Sequence, residues 1–315
     1  MVNDWVAGER QDTEDIEDLW LEVKNGIKKA SSQSTQETGK ENKNERWFNN
    51  ECEEELEKRT TLRLKVKAVS RKDYGARIIG GHIAFAGQFP FAAAVHVQTA
   101  DSKFFCGGAL TGNDWVITAG HCVYNAVLFT IQLGSNHLES DDPNRMTVAT
   151  STYILHPDFN PEAIENDIGL IKFRRPIDYN IYLNPVFPMG FSLVDDAPVY
   201  VLGWGQISDS DPELSNELRY LFIRTISNAE CRTIYGDQIT DTMVCVVGNY
   251  NEGTCVGDNG SPLVASNGKY YALVGVASFV SANGCESTDP SGYTRTFPYL
   301  EWIQNNTREE QKLYE

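Results

Sequence analysis

The chain has 315 residues and a mass of 35.2 kDa, with a formal net charge of −17 and a pI near 4.7. At about 150 residues per domain this length allows roughly two domains, and 41% hydrophobic residues exclude a fully disordered or collagen-like chain. The acidic balance is the wrong sign for neutralising phosphates, and apolar runs such as residues 270–276 are far too short to cross a bilayer, so neither a nucleic-acid nor a membrane partner is expected.

The charge and the patterning divide the chain near residue 77. Up to Arg77 there are 17 acidic and 15 basic residues; from Ile78 on there are 27 and 12. Residues 12–29 predict an amphipathic helix, with Ile16, Leu19, Trp20, Val23 and Ile27 at helical spacing. Residues 30–44 are mostly Ser, Gln, Thr, Lys and Asn, a linker composition that cannot bury a core. A second helix is predicted over residues 49–66, its acids leading and its bases trailing in accord with the helix dipole. Two short helices and a linker hardly make a stable domain, so residues 1–77 read as a largely helical or disordered extension.

From residue 78 to 305 the pattern is β-rich. Short strands are predicted at residues 91–98, 115–118, 128–133, 199–202, 270–278 and 292–296, between Gly, Pro, Asn and Asp clusters. Many short strands with frequent turn signals indicate an antiparallel sandwich or barrel. A helix is predicted over residues 299–305, and residues 306–315 form a polar tail. Asn305-Asn306-Thr307 is a glycosylation sequon, meaningful for a secreted chain. Residues 1–10 lack the apolar core of a secretory signal. Yet six of the seven cysteines, Cys106, Cys122, Cys231, Cys245, Cys255 and Cys285, lie in the β-rich part. They read either as three disulfides formed in an oxidising compartment or as six buried thiols.

Four motifs carry chemistry. A predicted strand ends in Thr118-Ala119-Gly120-His121-Cys122; Asn166-Asp167-Ile168-Gly169-Leu170-Ile171 sets an aspartate before an apolar run. Gly257-Asp258-Asn259-Gly260-Ser261-Pro262 is a glycine-rich loop entering a strand, and Arg77-Ile78-Ile79-Gly80-Gly81 follows a base with two isoleucines and two glycines. Singly each is weak. Together, in this order, they resemble the chymotrypsin/trypsin family of serine proteases. The resemblance covers residues 78–305 and extends to Cys106-Gly107-Gly108-Ala109-Leu110, Gly203-Trp204-Gly205, Ser278-Phe279-Val280 and Gly292-Tyr293-Thr294. The last strands and the Asn283-Gly284-Cys285 loop are most similar to insect or crustacean chymotrypsins and their collagenolytic relatives.

The resemblance implies an all-β fold: two six-stranded antiparallel β-barrels with a C-terminal helix and the active site in the cleft between them. It implies the pairs Cys106–Cys122, Cys231–Cys245 and Cys255–Cys285, with Cys52 left over. His121 is implied as general base, Asp167 as the group that orients and stabilises its imidazolium, and Ser278 as a hydrogen-bond donor to Asp167. The N–H groups of Gly257 and Asn259 are implied as the oxyanion hole. Cleavage after Arg77 would free the Ile78 ammonium to pair with Asp258 and order that loop. The substrate pocket would have Gly253 at its base and Ser278, Val280 and Ser291 on its walls. An aspartate at the base would select Lys or Arg; glycine there points to an apolar or aromatic guest, narrowed by Val280. The acids Glu286 and Asp289 sit in the neighbouring loop.

The pattern departs from the family at one position. The family loop reads Gly-Asp-Ser-Gly-Gly-Pro, and this chain has Asn259 where the nucleophilic serine belongs. A carboxamide has no hydroxyl for His121 to deprotonate. Ser261 lies two residues on, several ångströms along the chain, too far for an attack that needs reacting atoms about 3–3.5 Å apart. Asn and one class of Ser codons differ by a single transition, so three readings stay open: a protease whose catalysis is lost or gravely reduced, an active secreted endopeptidase with residue 259 misread, and a protease homologue that only binds. A peptide or protein substrate is the expected partner and protein protease inhibitors are further candidates; a secreted monomer without cofactor or metal is expected. The acids Glu139, Asp141 and Asp142 read as a solvated loop rather than a calcium site, and His82, His96, His137 and His156 show no metal spacing. The aromatics between Tyr270 and Trp302 read as barrel and helix core. Trp47-Phe48-Asn49-Asn50-Glu51-Cys52, followed by a charged helix with Arg59 and Arg63, resembles the linker of non-LTR retroelement polyproteins, which implies a gene model that joined unrelated exons; the alternative is a pro-segment removed at Arg77.

Overall fold

The computed structural model describes residues 81–248 and 253–307, all within the unit Gly75–Glu315. The predicted helices at 12–29 and 49–66, Cys52 and the Arg77–Ile78 bond lie outside the described residues. A two-residue strand, β1 (His82–Ile83), leads in. Seven strands follow: β2 (Ala92–Gln98), β3 (Lys103–Leu110), β4 (Trp115–Thr118), β5 (Leu128–Leu133), β6 (Met146–Thr150), β7 (Thr152–Leu155) and β8 (Gly169–Lys172). They make one antiparallel sheet in the order β6-β5-β2-β3-β4-β8-β7. Its edge strands β6 and β7 are consecutive in the chain with only Ser151 between them, so the sheet curls until its edges meet. The Thr150 hydroxyl fastens that corner by donating to the Lys172 carbonyl at 2.8 Å. Counted as one bent strand, β6 and β7 make this a six-stranded barrel.

The second sheet takes β9 (Pro198–Gly203), then, past the small hairpin of β10 (Gln206–Ser208) and β11 (Asp211–Leu214), β12 (Arg219–Ile226), β13 (Met243–Val247), β14 (Pro262–Ser266), β15 (Tyr271–Phe279) and β16 (Ser291–Arg295). Its order is β1-β12-β13-β16-β15-β14-β9, and β9 also pairs with β12, which closes six strands into a ring and leaves β1 outside. The period of two is plain along β12, where Leu221 and Ile223 turn inward and Phe222 and Arg224 outward. Val95, Ile117, Phe129, Ile131 and Leu170 fill the first barrel; Val199, Val201, Leu263 and Tyr293 fill the second. Phe89 packs its ring 5.2 Å from Tyr220 and 5.3 Å from Tyr271, joining the start of the first barrel to strands of the second.

Each of the six predicted strands lies within one residue of a strand, with 115–118 and 128–133 matching β4 and β5. Three short helices complete the domain: α1 (Gly120–Val123), α2 (Asn228–Tyr235) and α3 (Leu300–Thr307), the last entered through a 3-10 turn at Phe297–Tyr299. Helix α2 begins in a capping box, Ser227 and Glu230 each bonding the other's backbone N–H. Disulfides join Cys106 to Cys122, Cys231 to Cys245 and Cys255 to Cys285, tying β3 to α1, α2 to β13, and the glycine-rich loop to the loop before β16. Each closes a loop of 14 to 30 residues, worth about 2–4 kcal/mol. Of the seven aromatics between Tyr270 and Trp302, five pack inward as expected, whereas Tyr270 and Phe297 face solvent. Among the described residues no helix is long and apolar enough to cross a membrane.

Candidate active site

His121 and Asp167 meet because a glycine lets two segments touch. Strand β4 ends at Thr118, and the single turn α1 presents His121 one residue after Gly120. A Cβ on Gly120 would sit 3.0 Å from the Ile168 nitrogen and 3.2 Å from an Asp167 oxygen, so any larger residue would press the aspartate segment outward by a few tenths of an ångström. Asp167 is fully buried. Its Oδ1 accepts the His121 backbone N–H at 2.8 Å, and its Oδ2 lies 2.9 Å from His121 Nδ1. The Ser278 hydroxyl on β15 donates to the same Oδ2 at 2.6 Å, and Thr294 on β16 donates to the Asp167 carbonyl at 2.8 Å. Both barrels therefore grip this carboxylate. The imidazole is 30% exposed, and its Nε2 has no oxygen or nitrogen partner among the described residues; the Cys122 sulfur is 3.7 Å away.

The glycine-rich loop wraps against the same corner. Gly257 (φ 95°) and Gly260 (φ 79°) adopt left-handed backbone, open to glycine at little cost. Gly260 presses on Thr118 and Ala119, immediately before the His121 turn, and no side chain fits there. Gly107 donates its N–H to the Asn259 carbonyl at 2.7 Å, and Gly260 donates to the Ala277 carbonyl at 2.8 Å. The backbone N–H groups of Gly257 and Asn259 donate to nothing among the described residues. Asn259 is half-buried beside them. Ser261, by contrast, is buried with its Oγ against Gly107 and Gly203, and that oxygen makes no hydrogen bond. The serine occupies space that a glycine would leave empty.

Asp258 is also buried. Its carboxylate accepts the Gly205 N–H at 2.8 Å and the Cys255 N–H at 2.9 Å, in a cradle whose walls, Gly203 and Gly205, admit no Cβ. Burial pushes its pKa up to about 6, the two N–H bonds pulling the other way. No cation pairs with it among the described residues.

Gly253, Val280 and Ser291 line one open pocket together with Thr254, Ser281 and Asp289. Ser278 stands nearby on β15 but holds Asp167 instead. Of the two acids in the neighbouring loop, Asp289 reaches the pocket and Glu286 does not; the Glu286 N–H is taken by Asp209. Asp209, at the tip of the β10–β11 hairpin, accepts from the backbone of both Cys285 and Glu286 and so clamps the pocket loop. Asp209 does not stand out in the sequence, because it acts on residues 76 and 77 positions away; Thr294 lies in the motif Gly292-Tyr293-Thr294, but its bond to Asp167, 127 positions away, does not show there. The sets of three metal-type side chains found among the described residues each include a disulfide, whose sulfurs are not free to ligate. In the acidic loop, Asp142 is engaged by the Asn144 N–H at 2.9 Å.

Residues 78–303 match the trypsin family. The chain is 34% identical over 230 residues to brachyurin from Leptuca pugilator, covering 73% of this chain and 98% of the relative. It is 35% identical to a collagenase from Hypoderma lineatum (73% and 87%) and 32% identical to human chymotrypsin-like elastase family member 1 (73% and 92%). A solved collagenase structure superposes with a TM-score of 0.65 at 34% identity, over 73% of this chain and 98% of that one. A buried aspartate under a half-open histidine, three disulfides and two β-barrels thus come with matching relatives over the whole β-rich region, and this chain belongs to the trypsin family of chymotrypsin-like serine protease domains.

Proposed function

We propose that the domain captures peptides or proteins in the cleft between its barrels, as an extracellular monomer, and that its hydrolytic step is lost or gravely reduced. The reading rests on one observation: a carboxamide, Asn259, beside an otherwise complete set of catalytic groups. In the triad mechanism a serine hydroxyl attacks the carbonyl, histidine Nε2 takes its proton, and backbone N–H groups hold the oxyanion. His121 has an open Nε2 and an Nδ1 fixed by Asp167, and the N–H groups of Gly257 and Asn259 are free to bind a carbonyl oxygen. The amide nitrogen of Asn259 has a delocalised lone pair and no proton that imidazole can usefully remove. Removing a triad serine leaves roughly 10³–10⁴-fold acceleration over water from binding and the oxyanion donors. Three disulfides support an oxidising, extracellular setting. Protein protease inhibitors, which dock in such clefts, are candidate partners.

The test exposes the Asn259 chain, cleaved after Arg77, to a fluorophosphonate and separately to a fluorescent peptide. No covalent label and saturable binding of peptide that is recovered intact are the expected results. Labelling, or steady turnover near about 10 s⁻¹, overturns the reading. The intact histidine–aspartate geometry also favours a second reading, an active endopeptidase whose codon 259 specifies serine; transcript sequencing at that codon separates the two.

Asp258 supplies a further test. Its folded pKa is raised, so the fold loses stability as pH climbs from its ordinary unfolded value near 4 through about 6. That cost is about 3 kcal/mol above pH 6 and vanishes below pH 4. An Ile78 ammonium drawn alongside would cancel it. Cleavage after Arg77 should therefore raise Tm by roughly 6–12 °C at pH 7 and by much less at pH 4.5. Equal shifts at the two pH values would mean that Ile78 does not reach Asp258.

A further inference from the structure

We propose that the second barrel carries another binding site, at the end opposite the pocket of Gly253 and Ser291, and that it takes the C-terminal residue of a peptide or protein chain: an apolar side chain with its α-carboxylate. This site stands apart from the capture of peptides in the cleft. Strand β16 runs from one pocket to the other. Ser291 at its start lines the pocket beside the glycine-rich loop, and Arg295 at its end lines a second one with Met189, Phe191, Leu193, Val274 and Phe297. At about 3.3 Å per residue the two are about 13 Å apart along the strand. Tyr293 fills the barrel core between them, and Arg295, two residues on, faces the same side of the strand. The guanidinium therefore stands at the far mouth of the barrel. It is held but not spent. Nε donates to the Met243 carbonyl at 2.8 Å and Nη1 to the Leu193 carbonyl at 3.3 Å. Nη2 donates to nothing among the described residues and reaches solvent. No described carboxylate comes within ion-pair distance of Arg295: Asp241 is taken by Arg232 at 2.8 Å, and Asp195 acts on it only from further off. From residue 78 on there are 27 acids against 12 bases, so a want of acids does not explain an arginine left without one. Burial pulls its pKa below the ordinary value, so the charge is poorly solvated where it stands and gains from an anion.

A second observation names the rest of the guest. The pocket is an apolar bed left open to water: Phe191 is 66% exposed and Phe297 40%, one from each of the two segments that form its walls. An apolar side chain seated against them would take both rings out of water. A third lies in the backbone. The N–H groups of Phe191, Ser192 and Leu193 donate to nothing among the described residues, which leaves donors for a peptide carbonyl. A guanidinium fork, an apolar bed and free backbone donors match, in turn, the carboxylate, the last side chain and the last peptide group of a chain's end. Other guests fit less well. A cation is repelled by Arg295. A neutral apolar molecule strips water from the guanidinium with nothing in return. A fatty acid would leave most of its tail beyond walls made of two short segments.

The experiment titrates the full chain with acetyl-leucyl-phenylalanine, its C-terminal amide, acetyl-leucyl-glycine and 3-phenylpropanoate, and follows backbone amide shifts by NMR. Shifts should centre on residues 190–194 and 295–297. The phenylalanine acid should bind at least about tenfold tighter than its amide, the low end for hydrogen bonds to a charged group. It should also bind at least about tenfold tighter than the glycine peptide, which brings no side chain to the bed. Over 3-phenylpropanoate, which has no peptide group, it should gain about threefold or more. Arg295→Gln should make acid and amide equal. Because that change also removes the bonds to Met243 and Leu193, Phe191→Ala serves beside it: this ring is already mostly in water, so Tm should hold while the acid loses at least about fivefold. Equal binding of acid and amide, 3-phenylpropanoate bound as tightly as the peptide, or affinity untouched by Phe191→Ala overturns the inference. So does folded protein that binds none of the four. Shifts confined to the cleft would uphold peptide capture there and sink this second site.

Discussion

Asn259→Ser, in the chain cleaved after Arg77, should raise hydrolysis of a peptide substrate by about 10⁴- to 10⁶-fold. The expectation follows from how triads fail: taking away the serine alone costs about 10⁶ in turnover, nearly as much as removing all three members. Restoring it should recover most of that only if the other members are already in place. They are held firmly. His121 is fixed through both its backbone N–H and its Nδ1, each on Asp167. Asn259 has its carbonyl pinned by Gly107 and is followed by a glycine wedged against Thr118, so its Cα cannot drift when the side chain shrinks. The side chain becomes smaller by two heavy atoms, so no clash opposes the change. Steady-state kcat with active-site titration measures it. A gain below about a hundredfold would mean that Ser261, buried beside Gly107 and Gly203, has displaced the oxyanion donors. Replacing Ser261 by glycine in the same background should then supply the remainder.

Asp167→Asn in that revived background should lower kcat by about 10⁴, with KM little changed. The carboxylate accepts at both oxygens and donates nothing, which forces the proton of a neutral imidazole onto Nδ1 and leaves Nε2 as the base. A carboxamide can present its NH₂ to the ring instead. The proton then shifts to Nε2, and the group that should accept a proton becomes a donor. The His121 backbone N–H cannot reverse, so it holds the amide oxygen at Oδ1 and leaves the NH₂ at Oδ2, facing His121 Nδ1 and a Ser278 hydroxyl that can rotate to accept. A loss of less than tenfold would reduce Asp167 to a packing role. A loss in KM rather than kcat would place its effect on the shape of the cleft.

Much of this was legible in the residues, and the parts that were not share a cause. Alternation and turn residues located strands β4 and β5 at their ends, because those runs are bounded by Gly, Asn and Asp. Short motifs carried His121, Asp167 and the glycine-rich loop, since each role needs a particular residue in a particular local context. Helix α2 went unassigned although Ser227-Asn228-Ala229-Glu230 spells a capping box, a signal its weak apolar face did not reinforce. The split of one barrel strand at Ser151 and the attachment of β1 outside the second ring depend on pairing partners, not on composition. Which side chains line the pocket depends on pairing in the same way: Asp289 is brought to it by a disulfide-bonded loop that Asp209 clamps from a separate hairpin.

The grip of both barrels on Asp167 has a consequence for how this protein is made. The Ser278 and Thr294 contacts reach across 111 and 127 residues, and long-range pairings of this kind form late because loop closure opposes them. A nascent chain that has completed only its first barrel owns the histidine and the aspartate but not the lock that steadies them, nor the loop that would face a substrate. The surroundings of His121 and Asp167 are therefore completed only in the last step of folding, and an unfinished chain holds the pair without its second-barrel supports.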